Sequence, residues 1–314
     1  MISVFMVIKN GISQGYPFIE SIKSALPLAD EFLISDGYSN DNTYETLVKC
    51  FGNEKKIKLF RDEWDKKSIN GSAIRNALNK VRYRCKYDYI LEVDANEIIP
   101  QQDIDIIKEL PSIHPEQELF GFPYYQIIGS KIKFNEEFRY RLARNFSDIC
   151  VLYDGYTFGF KYTLMDLKSR RTVRRLKSRF TSMIAEGRQV GLAIPQINIY
   201  LEKPIFRYYS IFPYNFFEKM KSKEYLQPSK DYNIIEKNST NSPFKELYDQ
   251  YTIDLDYVKF WDDVYELLKT LVKRGYTFNK EFLEKRIVNE LDQPEIIRSQ
   301  FGKTRYEPIC EPPL

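Results

Sequence analysis

Glu31-Phe32-Leu33-Ile34-Ser35 is an apolar run, and Asp36-Gly37-Tyr38-Ser39-Asn40-Asp41-Asn42-Thr43 follows it as a polar turn. The run has the length and content of a short strand, while Asp, Ser and Asn suit both a turn and a helix N-cap. Asn42–Phe51 then reads as a helix capped by Asp41 or Asn42. The same succession lies on either side. Ile2–Ile8 reads as a buried strand, and Tyr16–Leu26 as a helix with Phe18, Ile19, Ile22 and Leu26 at helical spacing, stopped by Pro27. Lys56–Phe60 is the next strand, Ser72–Val81 the next helix, Asp88–Val93 a further strand, and Ile104–Leu110 a helix ended by Pro111. Strands alternating with helices imply right-handed crossovers and a parallel sheet covered on both faces. The expected fold class is α/β.

From about Glu118 the pattern changes. Leu119–Ile127 and Phe138–Arg144 read as mixed or antiparallel strands, Pro204–Ile211 as another strand, and Pro213–Leu226 as a helix with proline at its first position. The polar stretch Gln227–Pro243 reads as a linker. Two helices are expected after it. Val258–Val272 sets Val258, Trp261, Val264, Leu268 and Leu271 on one face, and Lys280–Leu291 is the second. The expected organisation is a catalytic domain over 1–226 and a helical extension over 227–314.

Composition narrows the function classes. Of 314 residues, 43% are hydrophobic and 29% charged, enough apolar side chain to offset the entropy of ordering. Lys+Arg 47 against Asp+Glu 44 leaves a net charge of +3, too balanced for a dedicated nucleic-acid binder. No apolar run approaches bilayer-spanning length. Lys9-Asn10-Gly11 ends the first apolar run and no basic region precedes it, so no signal peptide is expected and a cytoplasmic location is. The four cysteines, Cys50, Cys85, Cys150 and Cys310, form no CxxC pair and are expected to be reduced thiols. His114 is the only histidine and lies between prolines in an apparent loop, which argues for a surface residue and against any two-histidine site.

Parallel α/β sheets bind ligands outside the carboxyl ends of their strands. The residues there are Lys9-Asn10-Gly11, Asp36 onward, Arg61-Asp62, and Asp94-Ala95-Asn96-Glu97. The Asp36 carboxylate has the chemistry to accept from a nucleobase N–H or a ribose hydroxyl; a plain turn with a cap is the alternative. Asp94, Asn96 and Glu97 offer oxygen atoms suited to a hard divalent cation that also grips phosphate, or to a capped strand-to-helix turn. The absence of GxGxxG after the first strand argues against a dinucleotide-dependent dehydrogenase.

Taken together, these segments resemble the family 2 glycosyltransferases, which have the GT-A fold, a Rossmann-like mixed sheet flanked by helices. The matching residues are Ser3–Asn10, the turn Asp36–Thr43, Gly71–Leu78 with its Ala-Ile-Arg-Asn, and Asp94–Glu97, similar to the family's DXD-like metal motif. A weaker resemblance continues through Arg141–Arg144 and Pro204–Tyr209 and fades after about residue 226. It implies a nucleotide-diphosphate-sugar donor and an inverting transfer. Asp36 would hold the base or ribose, and Asn10 would be a further donor-binding residue. Arg75 would lie near the pyrophosphate, and Asp94 and Asn96 would face it through magnesium or manganese, which stabilises charge on the leaving nucleotide. Gly37 replaces a second acid many members have, and Asn96 is a weaker ligand than a carboxylate. Arg207 stands where relatives often have a metal-binding His. A guanidinium there pairs with a diphosphate bidentately and carries permanent charge, so two expectations stand: Arg207 replaces the metal's charge in part or whole, or the alignment is shifted and Arg207 is a salt-bridge residue on an ordinary metal enzyme.

The acceptor hydroxyl needs a general base. Asp154, in Tyr153-Asp154-Gly155-Tyr156, resembles a position of related enzymes, with Asp148 and Glu186 as alternatives. Lys168–Arg179 holds seven basic residues and no acid. It reads as an amphipathic helix that is either a solvated face or a peripheral contact with the inner membrane face or a phosphate. The acceptor class stays open among glycans, lipid-linked glycans and proteins. Two rival functions remain: a non-catalytic sugar-nucleotide or glycan-binding relative, and a nucleic-acid binder using the basic helix.

Overall fold

The computed structural model describes residues 1–64, 72–130, 132–152, 155–161, 181–185, 188–192, 196–216, 257–273 and 286–310. The first hundred residues form the alternating units expected: β1 (Ile2–Ile8), α1 (Phe18–Ala25), β2 (Glu31–Asp36), α2 (Thr43–Phe51), β3 (Ile57–Arg61), α3 (Ser72–Arg82) and β4 (Tyr89–Glu92). Strands β2 and β4 both pair with β1 in parallel, and β3 extends the sheet from β2, also in parallel. Strand alternation divides β1 between two apolar layers. Val4, Met6 and Ile8 pack with Phe18, Ile19 and Ile22 of α1, whereas Phe5 packs with Leu78 and Val81 of α3 on the other face. The sheet is therefore covered on both sides.

Beyond β4 the sheet turns mixed. The further elements are β5 (Glu97–Ile98), α4 (Ile104–Ile113), β6 (Leu119–Ile128), β7 (Ile132–Arg144), β8 (Ile149–Leu152), β9 (Thr157–Lys161), β10 (Thr181–Ala185), β11 (Arg188–Leu192), β12 (Gln196–Asn198), β13 (Ile205–Ser210), α5 (Tyr257–Lys273), β14 (Arg286–Ile287) and α6 (Glu295–Arg298). The main sheet runs in the order β3-β2-β1-β4-β7-β6-β13-β5, with β12 on β6 and β14 on β7; a second sheet runs β10-β11-β9-β8. The expected class, an α/β fold with a mixed sheet flanked by helices, is the one observed.

Three expectations are corrected. Helix α4 continues through Pro111 to Ile113, because proline removes only its own N–H and His114 still donates to the Leu110 carbonyl at 2.9 Å. The described part of the segment read as a helix over 280–291 holds β14 and a short 3-10 turn at Glu290–Asp292 instead. Tertiary pairing overrides local periodicity there: Arg286 and Ile287 pair with Lys133 and Ile132, and the Asn289 side chain caps the turn. Finally, Cys50 and Cys310 are not reduced thiols but a disulfide with Cα atoms 4.8 Å apart, while Cys85 and Cys150 are buried and form no disulfide. The tail folds back onto α1, which brings Cys310 to the end of α2.

That tail is anchored in the main core. The Tyr306 ring packs 5.4 Å from both Phe18 and Phe212. Its hydroxyl donates to Glu20 at 2.9 Å and accepts from the Ile19 N–H at 3.1 Å. The boundary expected near residue 227, the basic stretch 168–179 and most of the helix expected over 213–226 lie outside the described residues. Among the described residues, no helix is long and apolar enough to cross a membrane.

Candidate active site

The turn after β2 is braced against the loop after β1. Asn10, at φ +53°, donates its N–H to Ser39 Oγ at 2.7 Å and accepts from the Asn40 N–H at 3.0 Å. Asparagine tolerates this left-handed backbone because its short polar side chain bonds locally. Asp36 accepts from the Ser39 N–H at 3.0 Å, from Ser39 Oγ, and from Arg61 Nε at 3.1 Å. The Arg61 guanidinium is itself clasped between Tyr38 and Tyr44, 4.7 and 4.6 Å from the ring centres. Asp41 supplies the cap, accepting from the Thr43 N–H and from the Ser13 N–H at 2.7 Å. The Asp36 side chain is fully buried and engaged by its own protein, while Tyr38 projects into solvent. Gly37 also acquires a reason: a Cβ there would come within 2.7 Å of Trp64 Nε1. Neighbouring Asp62 is held far below the usual carboxylate range, first by its hydrogen bonds to Arg84, and is a structural residue.

At the end of β4 lies a compact cluster of carboxylates and guanidiniums. The register that pairs Leu91 with Leu142 carries Arg141 alongside Glu92. Arg141, fully buried, reaches Glu92 at 2.5 Å, Asp94 at 2.9 Å and Glu97 at 2.6 Å, and donates to the Gly155 carbonyl at 2.7 Å. Arg139, two residues earlier on the same strand face, approaches Glu97 at 3.7 Å and pairs with Glu137 at 2.5 Å. From β13, Arg207 Nε lies 3.5 Å from Asp94 and 3.8 Å from Glu97. Burial pushes the Glu92 carboxyl up to about 8, against the pull of Arg141 and helped by Asp94 and Glu97. Burial would also raise Asp94, but Arg141, Arg207 and Arg139 outweigh it and hold its carboxyl below the usual range.

Asn96 has a different task from the one expected. Its side-chain amide donates to the Tyr208 carbonyl at 2.8 Å, and the Tyr208 N–H donates to the Asn96 carbonyl at 2.9 Å. This clamp holds the turn after β4 against β13, and thereby sets Arg207 beside Asp94. The residues do not fit the magnesium or manganese site that the resemblance implies. Asn96 offers only a neutral oxygen, Asp94 Oδ2 and Glu97 Oε1 face the Arg141 guanidinium, and no cluster of three His, Cys, Asp or Glu suited to a metal occurs among the described residues.

The two turns thus flank the end of β1, at the carboxyl ends of β2 and β4. Two strand spacings separate them, about 10 Å. Arg75 lies in the N-terminal part of α3. Asp154 and Glu186 lie outside the described residues. Gly155, at φ +95°, closes over the cluster, where a Cβ would meet Glu92 Oε1 at 3.3 Å. Asp148 lies in the turn before β8. His114, at the end of α4, stands 4.0 Å from Glu116 and away from both turns. Sequence reading did not single out Glu92, Arg139 or Arg141 as site residues. The available signal was the Arg-x-Arg alternation of one strand beside the Glu-x-Asp of another.

No protein-family model matches the chain, and no curated protein matches it. Among solved structures it is similar to Staphylococcus aureus TarS, at 12% identity over 89% of this chain and 44% of that one, with a TM-score of 0.35. It is similar to a mannosyltransferase of Pyrobaculum calidifontis solved with GDP-Man and Mn2+, at 17% identity over 38% and 34% with a TM-score of 0.30. It is also similar to glucosyl-3-phosphoglycerate synthase of Mycobacterium tuberculosis, at 19% identity over 41% and 44% with a TM-score of 0.28. The chain spans less than half the length of each. The fold assignment rests on the strand order and register given above.

Proposed function

We propose that this chain is a GT-A-type glycosyltransferase that moves a sugar from a nucleotide-diphosphate sugar to an acceptor hydroxyl, inverting the anomeric carbon. The observation that carries this reading is the pair of turns beginning at Asp36 and Asp94, which flank the end of β1 where parallel α/β sheets receive ligands. In this reading Asn10 and Asp36 shape the wall that receives the base and ribose, Asp36 acting through the turn it holds. Arg75 and Arg207 serve the diphosphate side. Asp154 is the general base, with Asp148 and Glu186 as alternatives, and removal of such a base costs about 10²–10⁴-fold in turnover. Residues 1–226 form the catalytic domain and 227–314 its extension. The acceptor is a glycan, a lipid-linked glycan or a protein, and 168–179 is the segment for peripheral contact with the inner face of a membrane.

A non-catalytic sugar-nucleotide binder is the second reading. It is favoured by one observation: Glu92, Asp94 and Glu97 are already paired with arginines. Thermal shift and sugar release across UDP-, GDP- and dTDP-sugars separate the two. Stabilisation with slow sugar release supports the transferase, and stabilisation without release supports the binder. No response to any donor overturns both.

A further inference from the structure

We infer that this chain binds the diphosphate of its ligand through arginine, with Arg207 as the contact residue, and does so without a divalent cation. The inference rests on the nucleotide-sugar reading and concerns how the same site handles phosphate charge.

Three observations carry it. First, three carboxylate oxygens of the motif are already engaged. Asp94 Oδ2 has Arg141 at 2.9 Å, Arg207 at 3.5 Å and Arg139 at 4.0 Å. Glu97 Oε1 has Arg141 at 2.6 Å, while Glu97 Oε2 accepts from the Asp94 N–H at 3.0 Å. A cation bound to Asp94 at a magnesium–oxygen distance of about 2.1 Å would stand close to guanidiniums of its own sign.

Second, the neutral residue in the motif is a structural requirement. Asn96 donates to the Tyr208 carbonyl, which a carboxylate cannot do. The same bond that orients the Asn96 side chain fixes the strand that carries Arg207. The two departures from the expected metal motif are therefore one arrangement.

Third, Arg207 is the member of the arginine trio placed to meet a ligand. Arg141 is sealed and Arg139 nearly so, but a quarter of the Arg207 side chain is exposed. Its Nε lies beyond hydrogen-bond reach of both carboxylates. Its hydrogen bond is a long one, from Nη1 to Gln126 Oε1 at 3.4 Å. The field of Asp94 and Glu97 holds the guanidinium in place, and a phosphate oxygen offers a shorter, charge-assisted partner.

The test is calorimetric binding of UDP and GDP to the full chain, in EDTA and in manganese, for the native protein, Arg207→Gln and Arg207→Lys. Thermal melts check that each variant folds. The expected result is binding in EDTA within about threefold of that in manganese, with at least about tenfold weaker binding in Arg207→Gln, the loss of a charge-assisted hydrogen bond. Arg207→Lys should fall between. Nucleotide binding that appears only with manganese overturns the inference and leaves the nucleotide-sugar reading standing. Unchanged affinity in a folded Arg207→Gln also overturns it. No nucleotide binding under any condition overturns the nucleotide-sugar reading itself.

Discussion

Asn96 and the main chain of Tyr208 share two hydrogen bonds across 112 residues of sequence, one from the Asn96 side-chain amide to the Tyr208 carbonyl at 2.8 Å and one from the Tyr208 N–H to the Asn96 main-chain carbonyl at 2.9 Å. Asn96→Asp keeps size and shape but turns a buried donor into an acceptor facing a carbonyl. We expect a loss of about 1–3 kcal/mol, the cost of an unsatisfied buried group, read by urea denaturation. The same variant should gain no manganese affinity, because Arg207 still faces Asp94. Restored metal binding with unchanged stability would refute this role for Asn96.

Arg141, fully buried, pairs with Glu92, Asp94 and Glu97. Its replacement by methionine removes the closest cation from all three and should cost about 3–5 kcal/mol or prevent soluble expression. Arg141→Lys keeps the charge but cannot fork between Glu92 and Glu97, and should fall between native and methionine. A methionine variant within 1 kcal/mol of native, about the worth of an exposed pair, would mean the cluster is not a structural unit.

Glu20 gives the stability curve a defined slope. Its carboxyl is raised, first by burial, and accepts from Tyr306 and Gln300. An acid with a raised folded value binds more protons in the native than in the unfolded state, so its contribution is full at low pH and is lost as pH rises past the unfolded value. Glu20→Gln should therefore be more stable relative to native at pH 8 than at pH 4.5. Denaturation series at the two pH values measure this; a constant difference would contradict it.

The Cys50–Cys310 bond closes a loop across 260 residues. Denatured under non-reducing conditions, the protein should expose two free thiols, those of Cys85 and Cys150, and four after reduction. Cys310→Ser should lower stability by about 2–5 kcal/mol. Four thiols without reductant would show that the pair stays reduced in solution, as disulfides do not persist in reducing compartments.

The alternation of strands and helices in residues 1–100 was legible because each element states itself locally, through apolar runs, caps and turn residues. The sheet of β8 to β11 was not. Its strands carry Lys161, Arg188 and Gln189 among short apolar stretches, which weakens a period-two signal. The site divides in the same way. Asn10, Asp36 and Asp94 announced themselves at strand ends. Arg139 and Arg141 gain meaning from the antiparallel register of β4 with β7, a pairing across about fifty positions that local patterning does not encode. Asn96 was read by type as a weak ligand, whereas its partner, the Tyr208 carbonyl, belongs to the backbone and has no letter in the sequence.

The seating of Tyr306 between Phe18 and Phe212 bears on how the chain is made. A ribosome delivers α1 early, yet the ring that covers Phe18 and the hydroxyl that serves Glu20 arrive almost three hundred residues later. At roughly 5–20 residues per second, the apolar flank of α1 waits many seconds for its cover. During synthesis that flank stays uncovered until Tyr306 emerges and seats against it.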